Sequence, residues 1–117
     1  MKTAQDPRHQ RRIARMQKLF SLSFQNTPPD HDIEDIASHL SAIDKTITQA
    51  APEWPVEKIA KIDLAILRLA VYELTIDTKE PPKVIIDEAV ELAKAFGNPH
   101  SAAFINGALG SVLKKMQ

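Results

Sequence analysis

At 117 residues, with 44% hydrophobic and 26% charged side chains, the chain is long enough for one domain with a real core and too apolar for wholesale disorder. It contains no cysteine, which excludes a disulfide framework, a thiolate zinc site and a Cys nucleophile. Net charge is zero, but residues 1–18 hold six basic side chains against Asp6 alone, which is +5, while the remainder holds nine basic and fourteen acidic, which is −5.

That segregation suggests a basic end for a polyanion and an acidic body. The opening MKTAQDPRHQRR has no apolar segment behind its charges, so it does not read as a signal peptide. Arg68 interrupts the longest apolar run well short of the ~18 residues that a membrane helix needs. A soluble, cytoplasmic, all-α protein is expected, with residues 1–117 forming one domain. Within it, residues 1–7 read as a mobile tail, 8–50 as N-terminal helices and 56–117 as a C-terminal helical bundle.

Asp6-Pro7 is a helix start, with Pro7 at the first helical position. From Arg8 to Phe24 the apolar residues Ile13, Met16, Phe20 and Phe24 recur at helical steps along one face. Arg8, Arg11, Arg12, Arg15 and Lys18 fall on another, so a basic stripe is expected to face outward, with Leu19 and Leu22 nearer that side. Asn26 to Asp30 is a stop followed by a new start. A second helix is expected from about Asp32 to Gln49, carrying Ile33, Ile36, Leu40, Ile43 and Ile47 inward. Pro52 and Pro55 bracket a turn that contains Trp54, the single tryptophan.

Lys61 to Thr75 is the hub. It has no wide polar face, and a helix apolar almost all round belongs inside a bundle. After Pro81-Pro82, Lys83 to Phe96 is expected to turn Ile86, Ala89, Val90, Ala93 and Phe96 to the core and Glu88, Glu91 and Lys94 to water. Gly97 is a natural residue after a helix end, and Ser101 is placed to cap the last helix. Gly107 and Gly110 inside that helix imply close approach to a neighbour.

Nothing in the sequence argues for catalysis. His9, His31, His39 and His100 show no metal-ligand spacing, no glycine-rich phosphate loop is present, and Ser101 and Ser111 lack a nucleophile-elbow setting. No cofactor or metal is expected. The basic first helix is the strongest local signal, because a guanidinium donates two parallel hydrogen bonds to phosphate. Its alternatives are a solvated face or ion pairs with the acidic body. Phe20 and Phe104 are candidates for base stacking, although core packing is the commoner fate of phenylalanine.

Three blocks together resemble the NusB family of bacterial transcription antitermination factors: RRIARMQKLFSLSF, KIDLAILRLAVYEL, and PPKVIIDEAVELAKAFGNPHSAAFINGALGSVLKK. The resemblance implies an all-α fold of two small packed helical bundles. The segment between Phe24 and Asp44 is shorter than usual for the family, so the N-terminal bundle is expected to be reduced. It implies binding of boxA-like single-stranded RNA from ribosomal RNA leader transcripts, jointly with NusE, the small-subunit ribosomal protein. Through the pair it implies indirect association with other Nus factors and RNA polymerase, suppressing premature termination. Arg8, His9, Arg11 and Arg12 fall in the family's RNA-binding stretch, which Arg15 and Lys18 extend; Phe20 and Phe104 match its aromatic positions. Glu57 and Asp63 match acidic positions on the NusE-facing surface, so both are expected there. Since the chain ends at Gln117, no appended methyltransferase domain is expected. The alternative is a protein–protein adaptor or homodimer of the same fold with weak or no independent RNA binding, motivated by the acidic body and by Leu19 and Leu22.

Overall fold

The computed structural model describes residues 6–24 and 28–117. The expected tail residues 1–5, including Lys2, and the Asn26–Thr27 part of the first break lie outside the described residues. Six α-helices follow in order: α1 (Pro7–Leu22), α2 (Glu34–Ala37), α3 (Leu40–Ala50), α4 (Lys61–Thr75), α5 (Pro82–Phe96) and α6 (Ser101–Met116). Tight 3₁₀ turns occupy His31–Ile33 and Val56–Lys58.

The hub helix α4 has the bounds that its apolar run implies. Ten of its side chains are buried, and it packs against α1, α3, α5 and α6. Ile66 and Leu67 are essentially inaccessible, so truncating Leu67 to alanine should cost ~2–5 kcal/mol. A single hydrophobic core draws on every helix. It gathers Met16, Leu19, Ile33 and Ile36 from the N-terminal elements and Ile85, Leu92, Ile105 and Leu109 from α5 and α6. The N-terminal part is correspondingly slight, since α2 has only four residues.

Asp6 caps α1, its carboxylate accepting from the Arg8 amide at 2.9 Å. The inward face of α1 is not the one that the apolar residues mark. It is Arg12, Arg15, Met16 and Leu19 that are buried, whereas Ile13 and Phe20 are only partly covered and Phe24 is exposed. Leu19, expected near the outer face, is fully enclosed. The α5 face is turned in the same way. Ile85, Glu88, Ala89, Leu92 and Ala93 point inward, while Glu88, assigned to water by its charge, is buried and Phe96 is exposed. In both helices the reason is the same: a charged residue is drawn onto the apolar stripe by a partner on the other helix.

The expected second helix is broken in two. The Ser38 hydroxyl donates to the Asp35 carbonyl at 2.9 Å and the His39 ring lies 2.8 Å from the same oxygen. These side chains compete for the carbonyl that a continuous helix needs, and α2 ends there.

Gly97 is extended, not left-handed, so conformational freedom is not its role. A Cβ at this position would stand 2.4 Å from Ser101 Oγ and 2.8 Å from the Ala93 carbonyl oxygen. Ser101 opens α6 without capping it; its hydroxyl accepts from the Asn98 amide at 3.0 Å and ties the α5–α6 turn. Gly107 and Gly110 face open space, with nothing within 4 Å of a built Cβ, so no neighbouring helix approaches them.

Candidate nucleic-acid interface

The basic stripe of α1 does not face outward as a unit. Arg12 is buried in a cage of three carboxylates contributed by α4, the α4–α5 loop and α5. Its Nε and Nη2 donate to Glu73 at 2.9 and 2.7 Å, Nη2 also donates to Glu80, and Nη1 donates to Glu88 at 3.2 Å. Burial alone would lower the Arg12 pKa, but the hydrogen bonds to Glu73 and Glu80 outweigh it and hold the pKa above its ordinary value. His9 joins from one turn earlier, its Nδ1 3.2 Å from Glu88 Oε1.

Arg15 is likewise buried. Its Nη2 donates to both Asp35 oxygens at 2.6 and 2.8 Å, its Nε donates to the Asp32 carbonyl, and the guanidinium lies 5.7 Å from the Tyr72 ring centroid. The Tyr72 hydroxyl donates to Asp35 at 3.0 Å. Desolvation pushes the Asp35 pKa upward, but the hydrogen bonds from Arg15 and Tyr72 prevail and lower it. Desolvation and the bond to Asp35 together raise that of Tyr72.

The outward expectation therefore fails for Arg12 and Arg15, whose side chains are buried and already ion-paired, Arg12 with three carboxylates and Arg15 with Asp35. What α1 does present is Arg8, Arg11 and Lys18. The Arg8 side chain is 70% exposed, although it reaches Asp6 and donates to Glu80 at 2.8 Å. Lys18 sits between Asp30 and Asp32 at 3.2 and 3.3 Å; the hydrogen bond to Asp30 raises its pKa. Arg11 is exposed and has no hydrogen-bond or ion-pair partner among the described residues. With Arg8, Arg12 and Arg15 it lines a cleft of about 290 Å³ that also takes in Asp77 and Lys79.

The aromatic candidates lie apart. Phe20 is half-buried and packs edge-on against Phe24, centroids 4.9 Å apart. Phe24 is 62% exposed, with Lys61 Nζ 5.8 Å from its ring centroid. Phe104, on α6, meets Trp54 edge-to-face at 6.1 Å. Of the two acidic candidates, Glu57 is exposed in its 3₁₀ turn, whereas Asp63 is buried in the first turn of α4, against the expectation of a surface position. It sits there because it shares the α4 side occupied by Leu67 and Ala70.

Sequence reasoning missed Glu73, Glu80, Glu88 and Asp35, the carboxylates that hold the arginines. The signal that marks one of these carboxylates and its arginine is phase: Arg12 precedes Met16 and Leu19 on one buried stripe, and Glu88 falls between Ile85 and Leu92 on another. Trp54 was also missed as a surface element. Among the described residues there is no group of three or more His, Asp or Glu side chains arranged to hold a metal ion, and no helix long and apolar enough to cross a membrane.

The NusB family model matches residues 33–114 of the chain. The transcription antitermination protein NusB of Chloroflexus aggregans is 37% identical over an alignment covering 92% of this chain and 87% of that protein. Its counterpart in Roseiflexus castenholzii is also 37% identical, covering 92% of each. The first alignment runs over 135 positions, more than this chain possesses, so that relative carries residues with no counterpart here. The crystal structure of T. maritima NusB superposes with a TM-score of 0.80 at 32% identity, over 98% of this chain and 94% of that one. A chain in the crystal structure of a plectonemic RNA supercoil shares the fold, with a TM-score of 0.83 at 19% identity over 93% and 95% of the two chains.

Proposed function

The chain belongs to the NusB family, and from that premise we propose that it is an RNA-binding transcription antitermination factor rather than an enzyme. It binds boxA-like single-stranded RNA of ribosomal RNA leader transcripts together with NusE, and so suppresses premature termination. The observation that carries this reading is the state of Arg11: an exposed side chain without a partner among the described residues, beside exposed Arg8, on a helix anchored by buried Arg12 and Arg15. The inner arginines fix the helix, and the outer cations are left to meet phosphate. On this reading Arg8, Arg11 and Lys18 contact the RNA backbone, His9, Arg12 and Arg15 position them, and Phe20 and Phe104 flank the path. Glu57, exposed beyond α3, belongs to the surface that meets NusE, with Asp63 behind it.

The decisive experiment is titration of the chain with boxA-like and scrambled single-stranded RNA, each with and without NusE. Tighter binding of the boxA-like strand, enhanced by NusE, is expected; equal affinity for both strands under both conditions would refute the specific claim. One observation favours a second reading, a protein adaptor whose RNA binding depends on its partner: Arg8, Arg12, Arg15 and Lys18 are already ion-paired within the chain. That reading expects RNA affinity to be measurable only when NusE is present, and a homodimer to be detectable by light scattering if α1 is its interface.

A further inference from the structure

Glu80 joins one exposed and one buried arginine of α1 through a single carboxylate. Its Oε1 accepts from Arg8 Nη1 at 2.8 Å and its Oε2 accepts from Arg12 Nη2. Arg12 does not depend on it, because Glu73 takes two of its nitrogens at 2.9 and 2.7 Å and Glu88 takes the third at 3.2 Å. Every guanidinium nitrogen of Arg12 is thus satisfied without Glu80, and a third carboxylate adds like-charge repulsion to the cage. The contact peculiar to Glu80 is the one with Arg8, whose side chain is 70% exposed.

Glu80 is also free to leave. It lies in the α4–α5 loop between exposed Lys79 and exposed Pro81, and neither its amide nor its carbonyl enters a backbone hydrogen bond among the described residues. The side chain alone docks it, so its departure unzips no helix. It sits in the cleft that Arg8 and Arg11 share with Asp77 and Lys79. A carboxylate offers a guanidinium the same pair of oxygens that a phosphate does, so the two compete for one fork.

We propose that Glu80 is a built-in competitor for phosphate: it holds Arg8 in the free chain and yields it to an RNA phosphate, while Glu73 and Glu88 keep Arg12 and the helix in place. The proposal rests on the RNA-binding reading above and adds to it an autoinhibitory contact. Apparent affinity is the intrinsic affinity reduced by the fraction of chains in which Arg8 is released. An exposed pair of this kind is weak, so the reduction is about two- to fivefold. Because phosphate carries no sequence information, boxA-like and scrambled strands are affected equally.

The test compares the full chain with its Glu80→Gln variant, which keeps the side-chain shape and loses the charge. Anisotropy of labelled boxA-like and scrambled single strands reports binding, with and without NusE. Glu80→Gln should bind both strands about two- to fivefold more tightly than the parent, with a denaturant midpoint close to the parent's. Two controls separate the ion pair from general repulsion of the strand. Asp77→Asn removes an equal charge from the same cleft, but Asp77 pairs with Lys79 and with no α1 cation among the described residues, so affinity should change by less than about twofold. In an Arg8→Ala background, Glu80→Gln should gain nothing. Equal affinity of parent and Glu80→Gln, an equal gain from Asp77→Asn, a gain that persists without Arg8, or a gain confined to the boxA-like strand overturns the competition and leaves the RNA reading intact. Unfolding of Glu80→Gln would make Glu80 a structural member of the cage and overturn it as well. No binding of either strand by parent or variant under either condition removes both readings.

Discussion

Arg12 Nη1 donates to Glu88 Oε1 at 3.2 Å across the α1–α5 interface, and both side chains are buried. Together with Glu73 and Glu80 this contact ties the basic end of the chain to its acidic body. The charge segregation visible along the sequence is thus largely consumed inside the fold. What reaches the surface of α1 is the remainder, centred on Arg11.

Arg11 and Arg12 are neighbours with opposite roles, and alanine substitution separates them. Arg12→Ala leaves buried carboxylates uncompensated and should destabilise the protein by about 3–5 kcal/mol in urea unfolding. Arg11→Ala should stay within about 0.5 kcal/mol of the parent while weakening RNA binding. Equal stability of the two variants would contradict the cage.

The Asp35–Tyr72 pair predicts a stability profile that falls at both pH extremes. Asp35 has a lowered pKa in the folded chain, so its contribution is complete above the ordinary value of 3.8 and is lost as pH falls below it. Tyr72 has a raised pKa, so its contribution is complete below the ordinary value of 10.0 and is lost as pH rises beyond it. Thermal unfolding of Asp35→Asn should show a shallower acid limb, and of Tyr72→Phe a shallower alkaline limb; unchanged limbs would dissociate the pair from stability.

Salt dependence counts the phosphates engaged. If Arg8, Arg11 and Lys18 each neutralise one, log K against log salt for single-stranded RNA should slope about −2. Participation of Arg12 and Arg15 as well would steepen it to about −3.5. A slope at the steeper value would mean that the buried pairs open on binding.

The glycines divide by environment. Gly107→Ala places a methyl in open space within a helix and should stabilise by about 0.5–1 kcal/mol. Gly97→Ala drives a Cβ against Ser101 and the Ala93 carbonyl and should destabilise by about 1–3 kcal/mol. Denaturant midpoints that move in the same direction would show that the α5–α6 turn yields more readily than its contacts imply.

The sequence by itself determined the helical class, the bounds of α4, the stops around Pro81 and Gly97, and the family, because these follow from local periodicity, backbone chemistry and continuous motifs. Only the tertiary structure decided which of the α1 cations face solvent. A helical projection assigns charge to water, yet Arg12, Arg15 and Glu88 lie on buried stripes because their partners come from 20 to 76 residues away. Local phase can place Arg12 and Glu88 on buried stripes, but it carries no record of which residue on another element each one meets. The same limit hid the broken second helix, where two side chains outcompete the backbone for one carbonyl, and the burial of Asp63 beside Trp54 and Phe104. Periodicity fixes which residues share a face; the packing of other elements against that face settles whether it meets water.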